Sequence, residues 1–132
     1  KYPYLSGGTP STHAKWGSSQ WWEENEDITQ RLYNTMLHQE GGAPFYAEPW
    51  LCDIIVSQHL ESPSMLTVLP WQDWMSIDGK LRKENPNDEQ INVPAIAKHY
   101  WRYRMHISVE SLMKESVFNE NIKNKITRTG RN

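Results

Sequence analysis

Cysteine is almost absent from this chain, which has one, Cys52, among 132 residues. A single cysteine excludes a disulfide within the chain, and the sequence also lacks an Asn-x-Ser/Thr acceptor site for N-glycosylation. Both absences favour a cytoplasmic location over a secreted one. No apolar run approaches the ~20 residues that a membrane-spanning helix needs, so no membrane association is expected.

The chain also has little net charge, −2 with a sequence pI of about 6.2. This balance gives no general attraction to nucleic acid or to an anionic membrane. Lys123, Lys125, Arg128 and Arg131 have no aromatic residues between them, which predicts a solvated, fraying helix end and no nucleic-acid site.

A metal site is not expected either. His99 and His106 lie seven positions apart and could share a helical face, but no third ligand has matching spacing. No cofactor is expected. Cys52 has apolar neighbours on a predicted helix, so the simplest interpretation is a buried thiol.

Tryptophan, by contrast, is plentiful, with seven residues. Aromatic rings fill cores, and they also stack on sugars and on bases, so composition alone leaves both roles open. Trp21 and Trp22 stand at the start of an amphipathic segment, where a core role is favoured over a sugar-stacking role. The apolar segment directly after Lys1 predicts a piece cut from a larger fold.

Two helices are predicted in the first half of the chain. The first covers about 21–39, with apolar residues at helical spacing and acidic residues in the first turns, which the helix dipole favours. Gly41-Gly42 is its predicted stop. The second begins near Glu48-Pro49, with proline in its first turn, and ends near Ser62-Pro63.

Two short strands are predicted beside these helices. One lies within 1–5, before a loop over 6–19 that is rich in Gly, Ser, Thr and Pro, and the other is the apolar run 64–69 between two prolines. A polar segment over 78–98 is predicted as a long loop. A short helical turn is predicted at 100–105, followed by a final helix capped by Ser108.

This order of strand, loop, helix, helix, strand, loop and helix fits part of a parallel α/β fold. We treat 1–132 as a single segment with the following parts: a strand and a loop over 1–20, helices over 21–62, a strand and turn over 64–76, a loop over 77–98, and C-terminal helices over 99–128. Two strands do not close a sheet, and parallel strands need neighbours on both sides.

Three blocks of the chain resemble, in the same order, the glycoside hydrolase family of the amylomaltases and disproportionating enzymes. The first joins Tyr2-Pro3-Tyr4-Leu5-Ser6 to Ser11-Thr12-His13 and Trp21-Trp22-Glu23-Glu24. The second runs from Glu61-Ser62-Pro63-Ser64-Met65 to Leu69-Pro70-Trp71-Gln72-Asp73, and the third from Ile91-Asn92-Val93-Pro94 to His99-Tyr100-Trp101-Arg102-Tyr103-Arg104. They cover residues 2 to about 112, and the third is most similar to the disproportionating type.

The resemblance implies the C-terminal portion of a (β/α)₈ barrel, mostly helical with one or two short parallel strands. It implies a 4-α-glucanotransferase that transfers α-1,4-glucan segments between maltooligosaccharides or glycogen with retention, in starch and glycogen metabolism. Retention needs a carboxylate nucleophile and a carboxylic acid, both of which the resemblance places upstream of this segment. No catalytic residue is therefore expected here, and the segment alone is expected to be inactive.

The chain departs from the family pattern directly after His13. The family has there an aspartate that holds sugar hydroxyls beside the transition state, whereas this chain has Ala14. A methyl group cannot accept a hydrogen bond or carry charge. Gly7-Gly8 and Ser19 are also atypical, so the departures cluster in the active-site loop.

Four residues are candidates for substrate binding: His13, Asn92, Gln72 and Asp73. His13 would bond a glucose hydroxyl, with an ordinary loop histidine as the alternative. Gln72 and Asp73 follow the end of a predicted strand, where barrels place their sites, although Asp73 could instead cap the next turn. Asn92 lines a cleft by resemblance or serves as a turn residue before Pro94. Trp101, Arg102 and Arg104 are expected to hold carboxylates of the barrel in preference to ligand.

Two other hypotheses remain open. Ala14 and the aromatic content also fit a non-catalytic glucan-binding or regulatory remnant. A small helical interaction domain, with all tryptophans in its core, is the third. Self-association through surface that the rest of a barrel would cover is compatible with the first and third hypotheses.

Overall fold

The computed structural model of the chain describes residues 7–8, 26–85, 88, 98, 100 and 102–131. The elements in chain order are β1 (Gly7–Gly8), α1 (Glu26–Thr35), α2 (Pro49–Glu61), β2 (Leu66–Thr67), α3 (Trp71–Ser76), α4 (Val109–Leu112) and α5 (Ser116–Arg128). None of the helices among these residues is long and apolar enough to cross a membrane.

Helix α2 lies between the two cores of the structure. It begins at Pro49, whose fixed φ and missing N–H suit the first helical position. Buried residues point from α2 in different directions, since Leu51 belongs to one hydrophobic cluster and Val56 and Leu60 to the other. Because its buried residues face two clusters, α2 packs against partners on two sides and connects both clusters.

The smaller cluster joins α2 to α1 through Tyr33, Leu37 and Leu51. Helix α1 ends earlier than the predicted stop at Gly41-Gly42, because the backbone turns at His38, which has a φ of 53°. Histidine is among the few non-glycine residues that tolerate this left-handed conformation. The predicted start of this helix, 21–25, lies outside the described residues.

The larger cluster joins α2 to α3, to the chain that follows α3, and to α5. Its buried members are Val56, Leu60, Met75, Ile77, Leu81 and Phe118. Side chains from four separate parts of the sequence meet here, so the cluster fixes α3 and the C-terminal helix against the same helix α2.

The two strands pair in parallel, with Gly7 opposite Leu66 and Gly8 opposite Thr67. Short parallel strands were predicted, but their positions differ from the prediction. The strand β2 is shorter than the predicted 64–69, and β1 lies inside the predicted loop 6–19. The predicted strand within 1–5 lies outside the described residues. Residues 71–76, which were predicted as a turn, form helix α3.

The C-terminal part contains two helices where one was predicted. Ser108 does cap the first, because its side-chain oxygen accepts from the Ser111 N–H at 3.1 Å. In an unbroken helix Leu112 and Phe118 would differ by about 240° around the axis. The break between α4 and α5 lets both pack against the larger cluster. The predicted helical turn at 100–105 is wrong for 100 and 102–105, which are not helical.

The basic C-terminal end does not fray, contrary to the prediction. The Arg131 guanidinium donates to the carbonyl oxygens of Leu60 at 2.5 Å, Ser62 at 2.6 Å and Ser64 at 2.7 Å. Carbonyl groups at the C-terminal end of a helix lack intrahelical partners and attract positive charge. Arg131 therefore ties the end of the chain to the connection between α2 and β2.

Two ion pairs support the same helix contact. The Lys125 ammonium pairs with the Asp53 carboxylate, and the Arg128 guanidinium pairs with Glu61 at 3.1 Å. Lys125, earlier in α5, pairs with Asp53, earlier in α2, and Arg128 pairs with Glu61 at the end of α2. The two helices therefore run in the same direction. The Arg128 pair is well exposed, at 66% and 54% of the two side chains, and contributes little.

We predict that Arg131→Met lowers the free energy of unfolding by about 1.5–3 kcal/mol, because it removes hydrogen bonds from a charged donor to partly buried carbonyls. Urea unfolding followed by tryptophan fluorescence measures this change. The matched control Arg128→Met removes the exposed pair and should lower it by less than about 1 kcal/mol. Equal effects of both substitutions would contradict the anchoring role of Arg131.

Candidate active-site segment

The two strands of the sheet each precede a sequence-predicted site residue in the chain. Because β1 and β2 are parallel, the chain leaves both strands at the same edge. His13 comes five positions after Gly8, and Gln72 comes five positions after Thr67. Ligand sites in parallel α/β folds lie at such carboxyl edges. The two strands that precede His13 and Gln72 in the sequence are therefore direct neighbours and end at the same edge of the sheet.

Only part of the predicted site lies within the described residues. His13, Ala14 and Asn92 lie outside them, so their roles stay predictions. Gln72 and Asp73 lie in the first turn of α3, with exposed fractions of 8% and 5%. The cap of α3 is Pro70, so Asp73 is the third helical residue and not an N-cap. An acidic side chain in this first turn is favoured by the helix dipole.

Asp73 belongs to a polar group beside the N-terminal half of α2. The Asp73 carbonyl accepts from the Ser76 hydroxyl at 2.7 Å. Arg82 donates to the Ala47 carbonyl at 2.8 Å, directly before α2. Cys52 of α2 is within electrostatic range of both Asp73 and Arg82. Three separate elements thus contribute charged or polar groups to the surroundings of Asp73.

Burial raises the pKa of the Cys52 thiol above its ordinary value of 9.0, because the thiolate is poorly solvated there. The nearby Ser76 hydroxyl and the charge of Arg82 oppose that shift in the pKa, and the Asp73 charge adds to it. Cys52 is a free, partly buried thiol, as the sequence predicted. At neutral pH it is protonated and weakly nucleophilic, so it is not a candidate nucleophile.

The third sequence block packs beside the chain that follows α3. His106 Nε2 donates to the Leu81 carbonyl at 2.6 Å, which requires that this nitrogen carry the hydrogen. The Lys83 ammonium lies 5.2 Å from the centre of the Tyr103 ring. Tyr103 of the third block and the nearby His106 therefore contact residues 81–83, which follow α3 and lie between the second and third blocks.

The arginines of the third block do not hold a carboxylate within the described part of the chain. Arg102 is exposed, and its guanidinium stacks on the exposed ring of Tyr100 at 5.1 Å. Arg104 is exposed as well. Their expected role in holding carboxylates of a larger barrel stays a prediction, and Trp101 lies outside the described residues. Among the described side chains, no three His, Cys, Asp or Glu residues are grouped so that they could hold a metal ion.

Sequence inspection missed the hydrogen bond of Ser76 to the Asp73 carbonyl and the charge of Arg82 near Cys52. Arg82 lies in the segment predicted as a polar loop, and a charge in such a segment is usually solvated.

The family of the chain follows from comparison with known proteins. The model of the 4-alpha-glucanotransferase family matches residues 1–110, and the chain belongs to that family. The matched region includes Gln72, Asp73 and the third sequence block, and it ends before α5.

A curated relative extends the similarity to nearly the whole chain. The protein named 4-alpha-glucanotransferase DPE2, from Oryza sativa subsp. japonica, is 33% identical over 131 residues. Those residues are 99% of this chain and 14% of the relative, so the chain spans about one seventh of the relative's length. No solved structure matches the chain significantly.

We predict that the raised pKa of Cys52 makes the protein less stable at alkaline pH. Between the ordinary thiol pKa and the raised one, the unfolded state loses its proton while the folded state keeps it. The free energy of unfolding therefore falls as pH rises above about 9, by at most about 1.4 kcal/mol per pH unit for one proton. Below about pH 9 the thiol is protonated in both the folded and the unfolded state, so none of this free energy of unfolding has yet been lost.

Urea unfolding of the wild type and Cys52→Ala at pH 7 and at several values up to pH 10 tests this. The difference between the two isolates the thiol from lysine and tyrosine titration. The wild type should lose more stability across this range than the variant. If the free energy of unfolding fell equally with pH in the wild type and in Cys52→Ala, the folded state would not protect the thiol from ionisation.

Proposed function

We propose that the chain is the C-terminal segment of the catalytic (β/α)₈ barrel of a 4-α-glucanotransferase. The enzyme would transfer α-1,4-glucan segments between maltooligosaccharides, or between these and glycogen. The observation that carries this proposal is the family match over 1–110, extended by the similarity to the rice relative. The parallel pairing of β1 with β2 supports it, because barrel strands are all parallel.

The proposed reaction is a double displacement at the anomeric carbon C1. A carboxylate attacks C1, the bond from C1 to the glycosidic oxygen breaks, and a carboxylic acid gives its proton to that leaving oxygen. The 4-hydroxyl of a second glucan then attacks C1, releases the enzyme carboxylate and returns its proton to the other carboxyl group. No oxidant or cofactor takes part, and one α-linkage replaces another.

Within this segment, the proposed contribution is substrate binding. His13, Asn92, Gln72 and Asp73 would hold sugar hydroxyls, while the nucleophile and the acid come from other parts of the barrel. The location of Gln72 and Asp73 just beyond β2 supports this for two of the four residues. The helices α2 and α5 would form part of the outer layer that holds β2 and α3 in place.

A second candidate function is a non-catalytic glucan-binding protein, and Ala14 favours it. The carboxylate that the family uses beside the transition state is missing at this position. Binding of the substrate requires only part of the hydrogen bonds that stabilise the transition state. A protein with Ala14 could therefore retain affinity for glucan while transfer is slow or absent.

We predict that Ala14→Asp raises the rate of transfer from maltotriose by about 10²–10³, because an oriented charge beside the reacting centre has that typical effect. The protein expressed from its complete gene is incubated with maltotriose, and glucose release and chain-length redistribution are measured. Ala14→Asn is the matched control, since it has the same size without the charge. It should give a much smaller increase.

The outcomes separate the two candidate functions. A large gain that is specific to Ala14→Asp supports the transferase proposal and the carried-over role of this position. No transfer by any of the three proteins, together with heat of binding to maltoheptaose in calorimetry, supports the non-catalytic alternative. Transfer by the 132 residues alone would contradict the assignment of the nucleophile and the acid to other parts of the barrel.

Two further expectations stay predictions. The cytoplasmic location rests on the single cysteine and on the absence of a glycosylation site. Self-association through uncovered apolar surface, such as the side chains of Met65, Leu66 and Val68, is also expected of the isolated segment.

A further inference from the structure

Arg131 is held in place by the backbone that precedes it. Helix α5 ends at Arg128, and Gly130 follows with a φ of 69°, which favours glycine because it has no Cβ. The Gly130 N–H donates to the Thr127 carbonyl at 3.1 Å, and the Arg131 N–H donates to the Ile126 carbonyl at 3.2 Å. This pair of bonds is the Schellman motif that ends many helices. The motif therefore fixes the backbone of Arg131 relative to α5.

Helix α5 is in turn fixed against α2. The Lys125 ammonium pairs with the Asp53 carboxylate and donates to the Ser57 hydroxyl at 3.3 Å. Phe118, near the start of α5, is buried in the larger cluster. The backbone of Arg131 therefore has a defined place beside the end of α2, and its guanidinium does not depend on a long unrestrained segment.

The last turn of α2 and the connection to β2 accept side-chain hydrogen bonds at four backbone carbonyls. The guanidinium donates to three of them, those of Leu60, Ser62 and Ser64. The Thr67 hydroxyl of β2 donates to the fourth, that of His59, at 3.3 Å. Ser64 has an exposed fraction of only 2%, so water cannot readily replace the guanidinium there. Without this donor the connection would have to change its path.

The same connection leads directly to the candidate binding residues. After Ser64, β2 begins at Leu66 and α3 begins at Trp71. The second half of α3 is held by burial in the larger cluster. The first turn, which carries Gln72 and Asp73, takes its place from the chain that enters it. The path of the connection therefore decides where this first turn lies.

We propose that Arg131 is a positioning residue for the glucan site: through the connection to β2 it sets where Gln72 and Asp73 lie. The inference rests on the proposed function for the role of these two residues. Arg131 lies outside the residues that the family model matches, and it acts through the backbone instead of by contact with the ligand. A shift of about 1 Å in the first turn of α3 would take donor and acceptor atoms out of hydrogen-bond range.

The experiment measures, by calorimetry, how tightly the protein expressed from its complete gene binds maltoheptaose, a ligand for both candidate functions. Arg131→Met should weaken binding about tenfold, the effect of one or two displaced hydrogen bonds. Gly130→Ala retains the guanidinium but strains the backbone that carries it, although the added Cβ would meet open space. It should weaken binding in the same direction. Each variant is assayed at a temperature at which circular dichroism shows it to be folded.

Two control variants separate positioning from loss of stability. Arg128→Met removes the exposed ion pair of the same helix with Glu61 and leaves the three carbonyls bound. Leu37→Ala opens a cavity in the smaller cluster and should destabilise the protein at least as much as Arg131→Met. Both controls should bind maltoheptaose as the wild type does.

Hydrogen exchange without ligand gives a second measurement that does not depend on any activity. The Asp73 and Trp74 amides both donate to the Pro70 carbonyl in the first turn of α3. In Arg131→Met these two amides should exchange faster than in the wild type, while the amides of α1 should exchange as before.

The inference is overturned if Arg131→Met binds maltoheptaose as tightly as the wild type, or if Leu37→Ala weakens binding equally. Unchanged exchange of the Asp73 and Trp74 amides overturns it as well. Failure of the proposed function gives a different result. The wild type would then bind no maltoheptaose, and the exchange of the two amides alone would decide whether Arg131 sets the place of the first turn of α3.

Discussion

The structure depends on the burial of α2 on more than one side. A helix of 13 residues with buried side chains directed into two clusters needs packing partners on two sides. It needs α1 on one side and α3 and α5 on the other. The chain that leads to Gln72 and Asp73 leaves from the end of this helix, and α3 packs against it, so the position of these two residues follows from how α2 is held. Arg131 completes this arrangement at the end of α2.

The candidate residues that the structure describes lie just beyond one strand of a parallel pair. Gln72 and Asp73 follow β2, and β2 pairs in parallel with β1. In the sequence, His13 and Ala14 follow the residues of β1. The chain therefore combines candidate binding residues with an alanine where the resemblance implies an aspartate.

The sequence predicted some features and not others, for physical reasons. Local signals located α2 by its proline and α4 by its Ser108 cap, since both depend on neighbouring residues. The end of α1 at His38 and the break before α5 were missed, because they arise from packing against residues distant in sequence. The same holds for Arg131 and for the bond of Arg82 to the Ala47 carbonyl. The family blocks identified the candidate residues, but spacing alone could not show that residues 81–83 contact Tyr103 and His106.

Native-state hydrogen exchange tests the central claim that α2 holds the structure together. Amides of α2 should exchange only through unfolding of the whole chain, with the largest opening free energy in the molecule. Amides of α1 and α5 should exchange through smaller openings, because each packs against one cluster. If α2 amides instead exchanged as readily as those of α1, the two clusters would be independent, and α2 would not be the element on which both depend.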